Sequence, residues 1–179
     1  NTAQNLADAL RGSQKMQGDW GEMALERILE ISGLQKGQEY ETQTTFKDES
    51  GAFLRPDVVI NLPENKHIII DSKVSLVAYE RMVNSDQDVD QQSNLTAHIH
   101  SIKTHIKQLS DKNYAYLKGV DTPEFVLMFI PLESSFALAI KEEPNLYQLA
   151  WEKRVVLVTP STLLYLEART SKPTRLRYC

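Results

Sequence analysis

The spacing of hydrophobic residues along the chain changes repeatedly between the period of a helix and that of a strand. Residues 19–33 carry an apolar stripe at helical spacing, and Asp19 is placed to cap that helix. Residues 40–46 alternate and predict a strand, while residues 124–131 and 154–159 are continuous apolar runs typical of buried strands. Further helices are predicted over residues 75–83, 95–117, 136–140, 145–151 and 160–167. Together with the hairpin described next, the pattern predicts an α/β fold with a sheet of about five strands.

The stretch over residues 55–74, RPDVVINLPENKHIIIDSKV, is the most informative part of the chain. Two runs of strand length, residues 58–62 and 68–74, are dominated by β-branched side chains. Between them the sequence PENK, residues 63–66, combines proline, asparagine and charge, which is typical of a turn. The stretch therefore predicts a β-hairpin.

Three ionisable residues, Asp57, Asp71 and Lys73, lie in this hairpin where a buried strand should have none. Side chains two residues apart leave the same face of a strand, so Asp71 and Lys73 share a face. If the hairpin folds about Glu64, Asp57 lies across from Asp71, with Cβ atoms roughly 4.5–5.5 Å apart. Two carboxylates at that distance require compensation, either by Lys73 or by a hard divalent metal ion with oxygen ligands. A structural Asp–Lys pair at the end of a sheet is the alternative.

These residues resemble the PD-(D/E)XK motif of nucleases with a restriction-endonuclease-like fold, through Pro56-Asp57 and Asp71-Ser72-Lys73. Four ordered stretches are together similar to the RmuC family of bacterial DNA recombination proteins. They are GDWGE at residues 18–22, RPDVVI at 55–60, DSKV at 71–74 and MFIP at 128–131. The resemblance runs from about residue 18 to about residue 169, which is most of the chain.

The resemblance implies a restriction-endonuclease-like α/β core, with a mixed central sheet flanked by helices. It also implies a metal-dependent nuclease that acts on DNA, in recombination or in the processing of unusual DNA structures. Asp57 and Asp71 would hold Mg²⁺ or Mn²⁺ together with the backbone carbonyl of Ser72 and with Glu22 on the first helix. Lys73 would orient or help to deprotonate the attacking water, or offset the charge of the phosphate. A surface carboxylate near a helix N-terminus is the alternative interpretation of Glu22.

Two further functions stay open. The fold could serve as a non-catalytic DNA-binding or assembly module, or as a metal-dependent hydrolase of nucleotides or RNA. A net charge of −4 argues against a general DNA coat, which needs a basic surface, but a nuclease can be acidic because its metal-binding carboxylates count against it. The sequence has no glycine-rich phosphate loop, so nucleotide hydrolysis at a P-loop is not supported.

A row of polar residues at seven-residue spacing follows one edge of the apolar stripe on the helix predicted over residues 95–117. Such a row predicts either a phosphate-binding rim or histidines that are hydrogen-bonded at a packing edge. Zinc binding is not expected, because this spacing separates the imidazoles by two helical turns, roughly 10 Å. The candidate nucleic-acid rim comprises His98, His105 and Lys112 of this row, with Tyr114 and Gln43.

Composition places the chain among ordinary globular proteins, with 179 residues, 41% hydrophobic and 25% charged. The single cysteine, Cys179, excludes an internal disulfide framework and fits a reducing compartment, so a cytoplasmic location is expected. No run approaches the ~20 apolar residues that span a bilayer, so no membrane contact is expected from these residues.

Three segments are predicted along the chain. Residues 1–18 form a helical lead-in from an upstream coiled-coil region, residues 19–170 form the nuclease-like domain, and residues 171–179 form a basic tail. The chain opens inside a helical pattern without a starting methionine, which indicates a fragment of a longer protein. The resemblance implies a preceding helical region that self-associates and that anchors the whole protein to the inner membrane.

Overall fold

A five-stranded mixed sheet lies at the centre of the fold. The computed structural model describes residues 14–48, 50–72, 76–85, 87–112, 114, 117 and 121–170. In chain order the strands are β1 (Tyr40–Thr42), β2 (Phe46–Lys47), β3 (Phe53–Leu54), β4 (Val58–Leu62), β5 (Lys66–Ser72), β6 (Val126–Phe129) and β7 (Val155–Val158). The central sheet has the order β1-β4-β5-β6-β7, and β2 and β3 form a separate two-stranded sheet.

In the central sheet β4 pairs antiparallel with both β1 and β5, whereas β6 pairs parallel with both β5 and β7. Six helices are described. They are α1 (Gln14–Ile31), α2 (Val77–Val83), α3 (Asp88–Asp111), α4 (Glu133–Glu142), α5 (Leu146–Glu152) and α6 (Pro160–Thr170). This order, a helix followed by an antiparallel meander and then parallel strands reached through helices, confirms the predicted α/β core.

Alternate side chains of the strands pack against two different helical layers, as the period of a strand requires. On one face, α1 and α6 cover β4 and β5, with Leu25, Leu29 and Leu163 against Val58 and Ile70. On the other face, side chains of α3, α4 and α5 pack against alternate residues of the same strands. Both faces of the sheet are therefore buried, which explains the uninterrupted apolar runs of β6 and β7.

The strand predicted over residues 40–46 is wrong in its extent. The extended conformation is interrupted at Gln43, whose φ of 57° lies in the left-handed region. Strand β1 therefore ends at Thr42, and β2 belongs to the second sheet. A left-handed glutamine has no strong sequence signal, because this conformation favours glycine and asparagine.

Two predicted helix starts also differ from the structure. Helix α1 already runs at Gln14, so Asp19 lies inside it and does not cap it, and the helix is continuous across the predicted boundary at residue 18. Helix α3 begins at Asp88 rather than near residue 95, because two aspartates in its first turn favour the positive end of the helix dipole. Residues 1–13 of the predicted lead-in and the predicted tail over 171–179 lie outside the described residues. Among the helices that the structure describes, none is long and apolar enough to cross a bilayer.

Of the two interpretations of His98, the structure supports the histidine that is hydrogen-bonded at a packing edge and not the residue of a nucleic-acid rim. The His98 side chain is 1% exposed, because α4 covers this side of α3. Its Nε2 lies 3.0 Å from the carbonyl oxygen of Ser135, and its ring lies 5.6 Å from that of Tyr79. His98 is thus a buried residue that joins α2, α3 and α4. Burial lowers the pKa of its imidazole.

We expect His98 to make the folded protein less stable in mild acid. Its folded pKa lies below the unfolded value of about 6.5, so the unfolded chain takes up the proton first. Stability should be complete above pH 6.5 or so and should decline as the pH falls toward the folded pKa. Thermal unfolding of His98→Gln between pH 7.5 and 5.5 should show a smaller decline than the wild type. His100→Gln, at an exposed position on the same helix, should keep the wild-type decline. An unchanged decline in His98→Gln would contradict this assignment.

Candidate functional site

The register of the β4–β5 hairpin brings the two predicted aspartates together. Val58 pairs with Ile70, and the positions of every pair in the ladder are equidistant from Glu64. Asp57 directly precedes the last pair and Asp71 directly follows it, at the open end of the hairpin. The predicted fold of the hairpin about Glu64 is confirmed.

The carboxylate of Asp57 joins the two strands of the hairpin at this open end. Its Oδ2 accepts a hydrogen bond from the backbone N–H of Ser72 at 2.7 Å. Pro56 before it is buried, and Asp57 itself is half-buried. The bond fixes the start of the Asp71-Ser72-Lys73 stretch relative to Asp57. Lys73 lies outside the described residues, so its place at the site stays a prediction.

Asp71 is held by two residues that follow α3. The hydroxyl of Tyr114 donates to Asp71 Oδ1 at 3.2 Å, and Lys112 Nζ lies 3.6 Å from the same oxygen. Lys112 also donates to the Tyr114 hydroxyl at 3.0 Å. Asp71 is 1% exposed and Tyr114 is 3% exposed. Burial, and after it the negative charge of Asp71, raises the pKa of the Tyr114 hydroxyl, which therefore remains a donor.

Gln43 connects Glu22 of α1 to Asp57. Its Nε2 lies 2.9 Å from Glu22 Oε2 and 3.4 Å from Asp57 Oδ1. The backbone of Gln43 is itself fixed, because its N–H donates to the Asp57 carbonyl and its carbonyl accepts from Arg55 Nε. A small cavity of about 70 Å³ lies beside these groups, lined also by Glu26.

The structure therefore brings most of the predicted site residues to one end of the sheet, between two helical layers. Glu22 arrives from the α1 side, and Lys112 and Tyr114 arrive from the α3 side. His105 is half-buried on α3, and its part in a rim stays a prediction. Within the described ranges, no three Asp, Glu, His or Cys side chains form a group that could hold a metal ion. Glu22 and Asp57 are both contacted by the side-chain amide of Gln43, which lies between them.

The sequence profile of the RmuC family matches residues 1–170 of the chain. The chain belongs to the RmuC family.

Three curated relatives show how much of such proteins the chain represents. It is 48% identical to the DNA recombination protein RmuC homolog of Pseudomonas aeruginosa, over 90% of this chain and 36% of that protein. It is 49% identical to the homolog of Pasteurella multocida, over 90% and 32%. It is 46% identical to the DNA recombination protein RmuC of Escherichia coli K12, over 89% and 34%. The chain thus spans about a third of the length of the curated relatives it matches.

Gln17 is a residue of this site region that sequence reasoning missed. It is 0% exposed, and its Oε1 accepts a hydrogen bond at 3.0 Å from the backbone N–H of Leu76, shortly after Lys73. The buried face of α1 repeats every four residues, at Gln17, Gly21, Leu25 and Leu29. The sequence gives no local signal for a buried glutamine here, because its partner Leu76 lies 59 positions away.

We expect Tyr114→Phe to destabilise the protein by about 1.5–3 kcal/mol, because a hydrogen bond to a buried charged group is lost. Tyr79→Phe is the matched control, since its hydroxyl donates to the neutral, exposed Ser134 Oγ. That change should cost under about 1 kcal/mol. Chemical denaturation of both variants measures the difference. Equal losses would show that the Tyr114 hydroxyl does not support Asp71.

Proposed function

We propose that this RmuC-family domain is a metal-dependent deoxyribonuclease that hydrolyses phosphodiester bonds in DNA recombination or in the processing of unusual DNA structures. The convergence of Asp57 and Asp71 at the open end of the β4–β5 hairpin carries the proposal. The names of the curated relatives, which call them DNA recombination proteins, support DNA as the substrate and recombination as the process.

The chemistry of the donor set fits Mg²⁺ or Mn²⁺. The carboxylates of Asp57 and Asp71 and the backbone carbonyl of Ser72 are hard oxygen ligands, which these ions prefer. Mg²⁺ commonly uses one or two carboxylates and keeps several waters, so a third acidic side chain is not required. Glu22, which reaches Asp57 through Gln43, would extend the set on the α1 side. When bound, the ion would polarise the phosphodiester and lower the pKa of a bound water.

The residues of the chain supply the positioning. The hydrogen bond from the Ser72 N–H to Asp57 fixes the two strands relative to each other at the open end of the hairpin. The Tyr114 hydroxyl orients the Asp71 carboxylate from the α3 side. Lys73, two residues beyond Asp71, orients the attacking water, helps to deprotonate it, or offsets the charge of the phosphate.

A second candidate is a non-catalytic DNA-binding or assembly module that retains the nuclease fold. The arrangement of the side chains favours it in one respect, since protein groups already engage both aspartates. Ser72 and Gln43 contact Asp57, and Tyr114 and Lys112 contact Asp71.

Cleavage of supercoiled, linear and single-stranded DNA with Mg²⁺ or Mn²⁺ tests the two candidates. We expect the activity of Asp71→Asn and that of Lys73→Ala each to fall by more than about 100-fold. A fall of roughly 10- to 100-fold is what the loss of a residue that only supports a metal ligand costs. Two surface changes serve as matched controls, Asp111→Asn and Lys66→Ala, and both should cleave like the wild type.

Cleavage that requires metal and is lost in both site variants would support the nuclease. If no substrate is cleaved while both variants bind DNA as the wild type does, the non-catalytic module is correct. RNA added to the same panel tests the choice of nucleic acid, and faster cleavage of RNA than of DNA would contradict a deoxyribonuclease.

A further inference from the structure

Lys112 is a cation that the fold brings to the site from a distant part of the chain. It follows the last residue of α3, yet its Nζ lies 3.6 Å from Asp71 Oδ1. Its Nζ also donates to the Tyr114 hydroxyl and lies 5.3 Å from the centre of the Tyr114 ring. These contacts with Tyr114 hold the ammonium in this place. Lys112 was predicted to lie on a nucleic-acid rim, and its Nζ lies against a candidate metal ligand, Asp71.

The burial of Asp71 distinguishes this ion pair from the other pairs that the structure describes. Asp71 is 1% exposed, whereas the carboxylate of every other described pair is at least 30% exposed. A carboxylate buried to this degree is costly unless it is paired and hydrogen-bonded, whereas exposed pairs contribute little. The Lys112 side chain is itself 33% exposed, so its ammonium can move toward solvent when another cation takes its place.

We propose that Lys112, supported by Tyr114, is a resident counter-charge of Asp71 in the metal-free protein and that a divalent ion displaces it. This inference rests on the proposed metal site and names how that site is regulated. The ammonium and the metal ion would compete for the Asp71 carboxylate. The exchange keeps the buried carboxylate compensated before the ion arrives and sets a threshold for metal binding.

The metal-free half of the proposal is tested by a double-mutant cycle on thermal unfolding in EDTA. Lys112→Gln should lower the Tm by about 2–4 °C in the wild-type background, as expected for loss of one such interaction in a domain of this size. In the Asp71→Asn background the same change should have little effect. Lys107→Gln, which removes an exposed lysine five residues earlier, should act equally in both backgrounds.

The exchange itself is tested by Mn²⁺ titration without DNA, with free Mn²⁺ measured by electron paramagnetic resonance. Lys112→Gln should bind Mn²⁺ roughly three- to tenfold more tightly, because a competing charge at a partly exposed position is removed. Lys112→Arg keeps the charge and should stay near the wild-type affinity. Lys107→Gln should also match the wild type.

The possible outcomes separate this proposal from the proposed function. Coupling in the cycle together with tighter Mn²⁺ binding by Lys112→Gln supports it. An equal loss of Tm in both backgrounds, or an unchanged affinity in Lys112→Gln, overturns it. If neither the wild type nor Lys112→Gln binds Mn²⁺, both the proposed exchange and the proposed metal-dependent nuclease are wrong. If Lys112→Gln tightens binding but no DNA is cleaved, the exchange holds and only the nuclease is wrong.

Discussion

The antiparallel register of β4 and β5 is the constraint on which the rest of the site depends. A slip of one residue would turn the side chain of Asp71 from the α3 side of the sheet to the α1 side. It would also separate Asp57 from the Ser72 N–H. The register is held by β-branched pairs along the ladder and by a tight turn in which Glu64 and Asn65 both have left-handed φ angles, 63° and 58°.

The position of the hairpin between two helical layers explains how a chain of ordinary composition can keep carboxylates at the end of its sheet. From one layer, Glu22 reaches Asp57 through Gln43. From the other, Tyr114 and Lys112 reach Asp71. Each carboxylate is thus met by hydrogen-bond donors, and for the buried Asp71 this offsets the cost of its desolvation. Under the proposed function the same two carboxylates would hold the metal ion, so the proposal links the stability of this site to metal binding.

The parts of the fold that could be predicted from the sequence are those whose signal is local. The hairpin was predictable because Pro63, Asn65 and two β-branched runs lie within one short stretch. A hydrogen-bonded histidine at a packing edge was one of the two interpretations of His98, but its partner was not predictable, because Ser135 of α4 lies 37 positions away. Lys112 was recognised as a cation, but its pairing with Asp71 depends on where α3 ends over the sheet. The left-handed conformation of Gln43 has no local signal in the sequence.

Anomalous X-ray diffraction from crystals of the chain soaked in Mn²⁺ tests the central claim most directly, since it locates the ion independently of activity. We expect an anomalous peak at the open end of the β4–β5 hairpin, within coordination distance of both Asp57 and Asp71. Lys112 Nζ should then lie farther from Asp71 Oδ1 than the 3.6 Å that separates the two atoms in the structure described above. A peak only at other carboxylates, with Lys112 still against Asp71, would contradict the account.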